Sequence, residues 1–243
     1  MNRLLDPRAL LAAALLVSTP ALALDNIEIM APAAPGGGYD RTARAIQATI
    51  EKEGLGKGIT VINVGGAGGA IGLAYVNQHP GDGHYLMVNA ISLLTNQITG
   101  KSKLAYTDFT PIAIMGIEYV GVSVRADSPL KSGVDLVERL RKDPGSLSIA
   151  IGTALGNATH ISFALAMKAA GVDIRKLKAV VFSSGGESMT AVLGGHVDIA
   201  ASAPSSVLPH IRSGKLRMLV IGAPKRASGD LAAVPTWQEQ GVG

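Results

Sequence analysis

Four short runs in this 243-residue chain carry glycine and hydroxyl residues at a density that suits anion capture. They are Pro35-Gly36-Gly37-Gly38-Tyr39-Asp40, Gly65-Gly66-Ala67-Gly68-Gly69, Gly152-Thr153-Ala154-Leu155-Gly156-Asn157-Ala158-Thr159 and Ser183-Ser184-Gly185-Gly186-Glu187. Glycine lets the backbone approach a ligand and adopts positive φ without steric cost. Backbone N–H groups at a helix start then donate to a carboxylate or phosphate. The cores of the runs hold no Lys or Arg, so backbone donors and helix ends must supply most of the neutralisation. A helix terminus contributes about 0.3–1 kcal/mol, or roughly 2 kcal/mol when partly buried. Micromolar affinity needs about 8 kcal/mol. Several charge-assisted hydrogen bonds of about 1.5–3 kcal/mol each have to provide the remainder.

Each run is positioned by the same device: an aliphatic stretch that predicts a strand, the loop, and then apolar residues at helical spacing. The strands are Asn26 to Met30, Ile59 to Val64, Leu147 to Ile151 and Ala179 to Phe182. The helices carry Ala43, Ile46 and Ile50 in the first unit, Ile71, Ala74 and Tyr75 in the second, His160 to Ala170 in the third, and Met189, Val192 and Leu193 in the fourth. Loops of this kind lie at the carboxyl ends of strands, where open α/β sheets bind ligands. Two units precede residue 100 and two follow residue 145. Between the pairs, Pro111 to Met115 and Tyr119 to Val124 read as strands that leave one sheet for another, and Lys215 to Ile221 reads as a run that crosses back. The pattern predicts an α/β protein of two lobes joined by a hinge, with a ligand cleft between them.

Composition narrows the function. With 47% hydrophobic residues, 16% charged, 4% aromatic and 30 glycines, the chain is too apolar for a disordered protein and suits an α/β sheet protein. The absence of cysteine excludes disulfides, thiol catalysis and Cys-ligated metal. His79, His84, His196 and His210 show no metal or catalytic spacing, so neither metal nor cofactor is expected. The formal charge of +4 is dispersed, without a polybasic run, which argues against nucleic acid as a partner. Arg3 and Arg8, the apolar run Ala9 to Val17, and Ala21-Leu22-Ala23 form the three parts of a signal peptide over residues 1–23. The apolar run is shorter than the roughly 20 residues that span a bilayer. A mature periplasmic chain from Leu24 is therefore expected.

The ordered set of motifs is more specific than any one of them. Pro35 to Asp40 followed by Ala43-Arg44, then Asn63 to Gly72 and Gly81-Asp82-Gly83, continue into Phe182 to Glu187, Leu193-Gly194-Gly195-His196, Ser213 to Arg217 and Pro235 to Gly241. This series resembles the extracytoplasmic receptors of tripartite tricarboxylate transporters, and the Phe-Ser-x-Gly-Gly-Glu form is similar to the tricarboxylate-binding branch. The resemblance implies a type II periplasmic binding protein fold and a monomer that is not an enzyme. It further implies capture of a small di- or tricarboxylate, citrate-like, for delivery to membrane permease subunits. The implied layout is lobe 1 over residues 24–121, lobe 2 over 122–214, and a hinge crossing with the start of a return to lobe 1 over 215–243, the rest of which the family carries beyond Gly243.

By the same resemblance, ligand contacts fall at Gly37, Gly38, Tyr39 and Asp40, at Gly66, Ala67 and Gly68, at Thr153 and His160, and at Ser183, Ser184 and Gly185. Ser184 stands where the branch more often has glycine. Asp40 would repel a carboxylate, so it is read as a cap for the helix entering Arg41, or as the holder of a bridging water. Tyr39 either gives its hydroxyl to the ligand or lines the cleft. His160 is either a protonated donor to the ligand or a satisfied structural histidine. Arg44 reads as an ion-pair partner or as added field for the first loop. A different class remains open: Gly66-x-Gly68-x-x-x-Gly72 fits a loose dinucleotide fingerprint and with it an NAD(P)-dependent oxidoreductase, although the following strand ends at Asn89 and not at an acid that would meet a ribose. A receptor that feeds a signalling partner is the third reading.

Overall fold

The computed structural model describes residues 25–242. The expected signal peptide lies outside the described residues. The first sheet is built on β1 (Glu28–Ala31), whose Ile29, Met30 and Ala31 are all buried. It is flanked in parallel by β2 (Thr60–Asn63) and β3 (Tyr85–Met87), in the order β2-β1-β3. Helix α1 (Gly38–Lys52) buries Ala43 and Ile50 against Ile27, Ile29 and Ile59, as its helical spacing requires. Two shorter helices, α2 (Ala70–Val76) and α3 (Ser92–Ile98), follow β2 and β3.

The second sheet contains β4 (Gly121–Arg125), β5 (Ser148–Gly152), β6 (Lys178–Phe182), β7 (Ile199–Ser202) and β8 (Leu216–Ile221), in the order β6-β5-β7-β4-β8. β5 is parallel to β6 and β7, whereas β4 is antiparallel to β7 and β8. Helices α4 (Gly133–Lys142), α5 (Ala158–Ala169), α6 (Gly185–Leu193) and α7 (Pro204–Arg212) complete the lobe. Side chains alternate along a strand. Ile149 and Ile151 of β5 therefore join Leu136, Leu140, Phe163 and Met167 on one face, while Ala150 joins Met189, Val192, Val207 and Met218 on the other. Two buried faces explain why β5 reads as an unbroken run of small and aliphatic residues. Helix α4 opens with a capping box, in which Ser132 Oγ accepts the Asp135 N–H (3.1 Å) and Asp135 Oδ2 accepts the Ser132 N–H (3.1 Å).

Two expectations for the connections need correction. Pro111 to Met115 is not a strand: residues 110–119 have no regular structure, and Ile114 and Ile117 are 90% and 83% exposed. A strand needs a neighbour for its N–H and C=O groups, and among the described residues none pairs with this run. The run from Lys215 to Ile221 does not cross back either. As β8 it stays beside β4, and the chain beyond it returns to the same lobe, with Trp237 and Val242 packed in the core that holds Leu136 and Phe163. Gln240 secures this segment by accepting the Val134 N–H (2.9 Å) and donating to the Leu219 carbonyl (3.1 Å). The reason is apolarity on both faces of β8, where Met218, Leu219, Val220 and Ile221 are all buried.

Replacing a buried aromatic by alanine costs about 3–5 kcal/mol. Trp237→Ala should lower the unfolding free energy of the second lobe by that amount in urea titrations followed by far-ultraviolet circular dichroism. Ile112→Ser, on the exposed run, should stay within about 0.5 kcal/mol of the parent.

Candidate functional site

The loops after β1, β2, β5 and β6 meet in one cleft of about 560 Å³ between the two sheets. Its walls are Pro32 and Gly65 to Gly69 from the first lobe, with Thr153, Val181, Phe182, Ser183 and Glu187 from the second. Of the residues expected to touch a ligand, Gly66, Ala67, Gly68, Thr153 and Ser183 line this cleft. Gly37, Gly38, Tyr39, Asp40, His160, Ser184 and Gly185 are not among its lining residues.

The second and third loops hold non-glycine residues in left-handed conformation. Ala67 has φ +48° and Thr153 φ +58°. Such a conformation costs roughly 1–2 kcal/mol per residue, so neighbouring bonds must impose it. Asn157 does so in the third loop: its Nδ2 donates to the Gly152 carbonyl and to Thr153 Oγ1 (3.1 Å), while its Oδ1 caps α5 by accepting the His160 N–H (2.9 Å). Buried Asn96 does it in the second, donating to the Gly68 carbonyl (3.0 Å). Gly68 itself, at φ +68°, must be glycine, since a Cβ there would come within 2.7 Å of Ala154 Cβ on the other lobe.

In the first loop, Gly37 is the N-cap of α1 and Gly38 its first residue. Asp40 is therefore not the cap expected at Arg41, because the helix begins earlier than the polar pattern suggested. It lies in the first turn, 4% exposed, and accepts the Gly36 N–H (3.0 Å) and the Arg44 guanidinium (3.1 Å). Burial works to raise its pKa, but the hydrogen bonds from Arg44, the Gly36 N–H and Asn63, with the Arg44 charge, outweigh this and hold it below the usual carboxylate range. Arg44 thus balances the repulsion that Asp40 would exert on an anion. The Tyr39 hydroxyl is shared with Ser92 Oγ (3.1 Å) inside the first lobe, and burial raises its pKa.

In the fourth loop Ser184 is buried and caps α6, its Oγ accepting the Glu187 N–H (3.2 Å), while Glu187 Oε2 accepts the Ser183 N–H (2.9 Å). The Ser184 hydroxyl is thereby engaged in the helix start, and Ser183 presents its own hydroxyl as its remaining donor. His160 Nδ1 accepts the Gly156 N–H (3.0 Å), which puts the ring proton on Nε2. Burial, and then the charge of Lys101, push its pKa down. This geometry fits a neutral histidine that shapes the third loop, the structural alternative of the two.

Sequence reading missed two cations beside the cleft. Lys101 Nζ donates to the Leu155 carbonyl across the lobes (2.8 Å), and Arg41 donates across them to Ser206 Oγ (2.8 Å). Neither lies in a loop core, and no local signal marks them, because both reach their acceptors only through the tertiary arrangement. Glu187 was visible in its motif, but its place on the cleft wall was not.

The model of the family described as tripartite tricarboxylate transporter family receptor matches residues 42–243. Among curated proteins, BugT of Bordetella pertussis is 29% identical over 219 residues, covering 88% of this chain and 65% of BugT. A UPF0065 protein in the gbd 5′ region of Cupriavidus necator is 30% identical over 209 residues, covering 86% of this chain and 62% of that protein. The chain thus spans less than two thirds of the length of these curated relatives. Among solved structures, MatC of Rhodopseudomonas palustris with bound malate is 29% identical with a TM-score of 0.78, covering 90% of this chain and 73% of that one. A second R. palustris protein, with adipate, is 25% identical with a TM-score of 0.77, covering 90% and 72%.

A depressed folded-state pKa contributes stability that is present above the ordinary aspartate value of about 3.9 and lost as pH falls through the lower folded value. Asp40→Asn should therefore lower the thermal midpoint at pH 7, with the deficit shrinking as pH drops below about 4. A deficit that does not change with pH would mean that the carboxylate charge is not what holds the loop.

Proposed function

The chain belongs to the tripartite tricarboxylate transporter receptor family, and from that premise we propose that it is a periplasmic receptor that captures a small di- or tricarboxylate between its lobes for delivery to a membrane permease. The observation that carries this reading is the convergence of four strand-end loops, two from each sheet, on one cleft with glycine-rich backbone on one wall and Thr153, Phe182, Ser183 and Glu187 on the other. Helices α1, α5 and α6 begin at three of these loops, so the positive ends of their dipoles lie at the loops, a setting that favours an anion. Closure on a ligand that touches both walls is a population shift, which needs contacts made in the closed state. The malate- and adipate-bound relatives support a dicarboxylate at least as well as a citrate-like ligand, so four- and six-carbon diacids are the first to test.

The site residues proposed to meet the ligand are Gly66, Ala67, Gly68, Thr153 and Ser183, with Gly37, Gly38, Tyr39, Asp40, His160, Ser184 and Gly185 shaping the loops behind them. The oxidoreductase reading has less support, since backbone conformation, at φ +117° for Gly66 and +68° for Gly68, and close neighbours give its three glycines a structural reason. A Cβ would meet Ile71 Cδ1 at 2.5 Å from Gly66, Ala154 at 2.7 Å from Gly68 and Met30 at 2.8 Å from Gly72.

Binding to the native state raises the unfolding midpoint by mass action, about 2.7 kcal/mol at a hundred times Kd. For a chain of this size that is on the order of 5–10 °C. A thermal scan with malate, adipate, succinate, citrate, tricarballylate, glutamate and NAD(P) should show such a rise with one or more carboxylates and none with the nucleotides; a rise with NAD(P) alone would sink the receptor reading. Ser183→Ala should weaken the responding carboxylate about three- to tenfold, the loss of one hydrogen bond, with little change in the unliganded midpoint. Thr153 is better probed as Thr153→Ser, because a valine at φ +58° would add backbone strain of its own.

A further inference from the structure

We infer that Arg41 and Lys101 are positioning residues that latch the two lobes together and so set the affinity for whichever anion the cleft takes, an inference that rests on the receptor reading above. Besides the backbone bond from the Ala34 N–H to the Ser183 carbonyl (3.4 Å), two long side chains bridge the lobes. At one bridge Arg41, in the first turn of α1, donates through Nη2 to Ser206 Oγ (2.8 Å) and Ser205 Oγ (3.5 Å) at the start of α7. At a second bridge Lys101, just beyond α3, donates through Nζ to the Leu155 carbonyl (2.8 Å) in the third loop. Both cations belong to the first lobe, and both acceptors are neutral groups of the second. Among the described residues, neither cation takes part in an ion pair.

These bonds exist only while the lobes are together, so they favour the closed state without reference to the ligand's identity. An interaction confined to one of two states moves the population toward that state and multiplies the apparent affinity of anything that binds it. Arg41 does more than bridge. Its Nη1 also donates to the Gly36 carbonyl (2.9 Å), while the Gly36 N–H is held by Asp40 (3.0 Å). The guanidinium that closes the lobes thus also fixes the shape of the first loop. Behind the acceptor, Ser205 Oγ donates to Glu118 Oε1 (3.0 Å), which brings a carboxylate of the inter-lobe segment to the same junction. On the Lys101 side, a Cβ at Gly156 would touch Thr95 of the first lobe at 3.7 Å and one at Gly68 would collide with Ala154 of the second at 2.7 Å, so both glycines keep room for the lobes to meet.

The chain has no cysteine, so Lys52→Cys and Lys168→Cys, on exposed positions of α1 and α5, give a clean pair of spin labels, one on each lobe. The inter-lobe distance distribution of the unliganded protein should move to longer separations in Arg41→Ala and in Lys101→Ala. Affinities for malate and adipate should fall together, about three- to tenfold in each variant, with Lys101→Arg recovering most of the loss. Arg41→Ala and Ser206→Ala should be non-additive in a double-mutant cycle, since they remove the same bond. An unchanged distance distribution in both variants overturns the latch, whatever binding shows. Affinity lost for one diacid and kept for the other overturns it as well, because that is the signature of direct ligand contact. If the parent binds neither diacid, the receptor reading fails for these ligands, and the distance measurement alone decides the latch.

Discussion

Parallel strands deliver their chain ends to the same edge of a sheet, and β1 with β2, and β5 with β6, obey that geometry. Each pair therefore presents its two loops side by side, and two such edges facing one another enclose the cleft. Antiparallel neighbours would have sent alternate loops to opposite edges. β4, the strand that runs antiparallel to its neighbours, sits apart from these loops on the far side of β7, with β8 beyond it. Placement of the donors thus follows from strand direction, and the individual loop residues refine it.

The refinement is largely electrostatic. Two carboxylates lie close to a cleft suited to anions, and each is managed differently. Asp40 is buried and paired with Arg44, so that its charge is spent within the first lobe. Glu187 faces the cleft and holds the Ser183 N–H, shaping the fourth loop at the expense of one donor. The cations come from outside the loops. Arg44 pairs with Asp40 within α1, whereas Arg41 and Lys101 reach across the lobes to neutral acceptors, and the loop cores stay free of bulky groups, which lets backbone approach a ligand closely.

Much of this was legible in the residues. The four strand–loop–helix units could be read because glycine, β-branched runs and helical spacing are all local signals, and each unit lies where its pattern put it. Resemblance added the order of the loops and the type of fold. What could not be read depends on partners distant in sequence. Pro111 to Met115 has the composition of a strand, but a strand exists only with a neighbour. Lys215 to Ile221 looks like a crossing until Trp237 and Val242 are seen to pack in the same lobe. His160 could be read either as a protonated donor or as a structural histidine, and only the tertiary setting decides: the Gly156 N–H on its Nδ1, its burial and the nearby Lys101 favour the neutral ring.

The exposed run between the lobes has a consequence for how the molecule behaves in a crowded solution. From Ile112 to Ile117 the chain carries Ile112, Ile114, Met115 and Ile117 outward, with neither charge nor proline inside the stretch. A segment of six such residues with an unpaired backbone is an adhesive: copies can stack it into intermolecular sheets, each strand satisfying the next. The dispersed charge of +4 repels neighbouring molecules only over about a Debye length, roughly 8 Å at physiological salt. A single charged residue within this hexapeptide would act as a gatekeeper against such stacking.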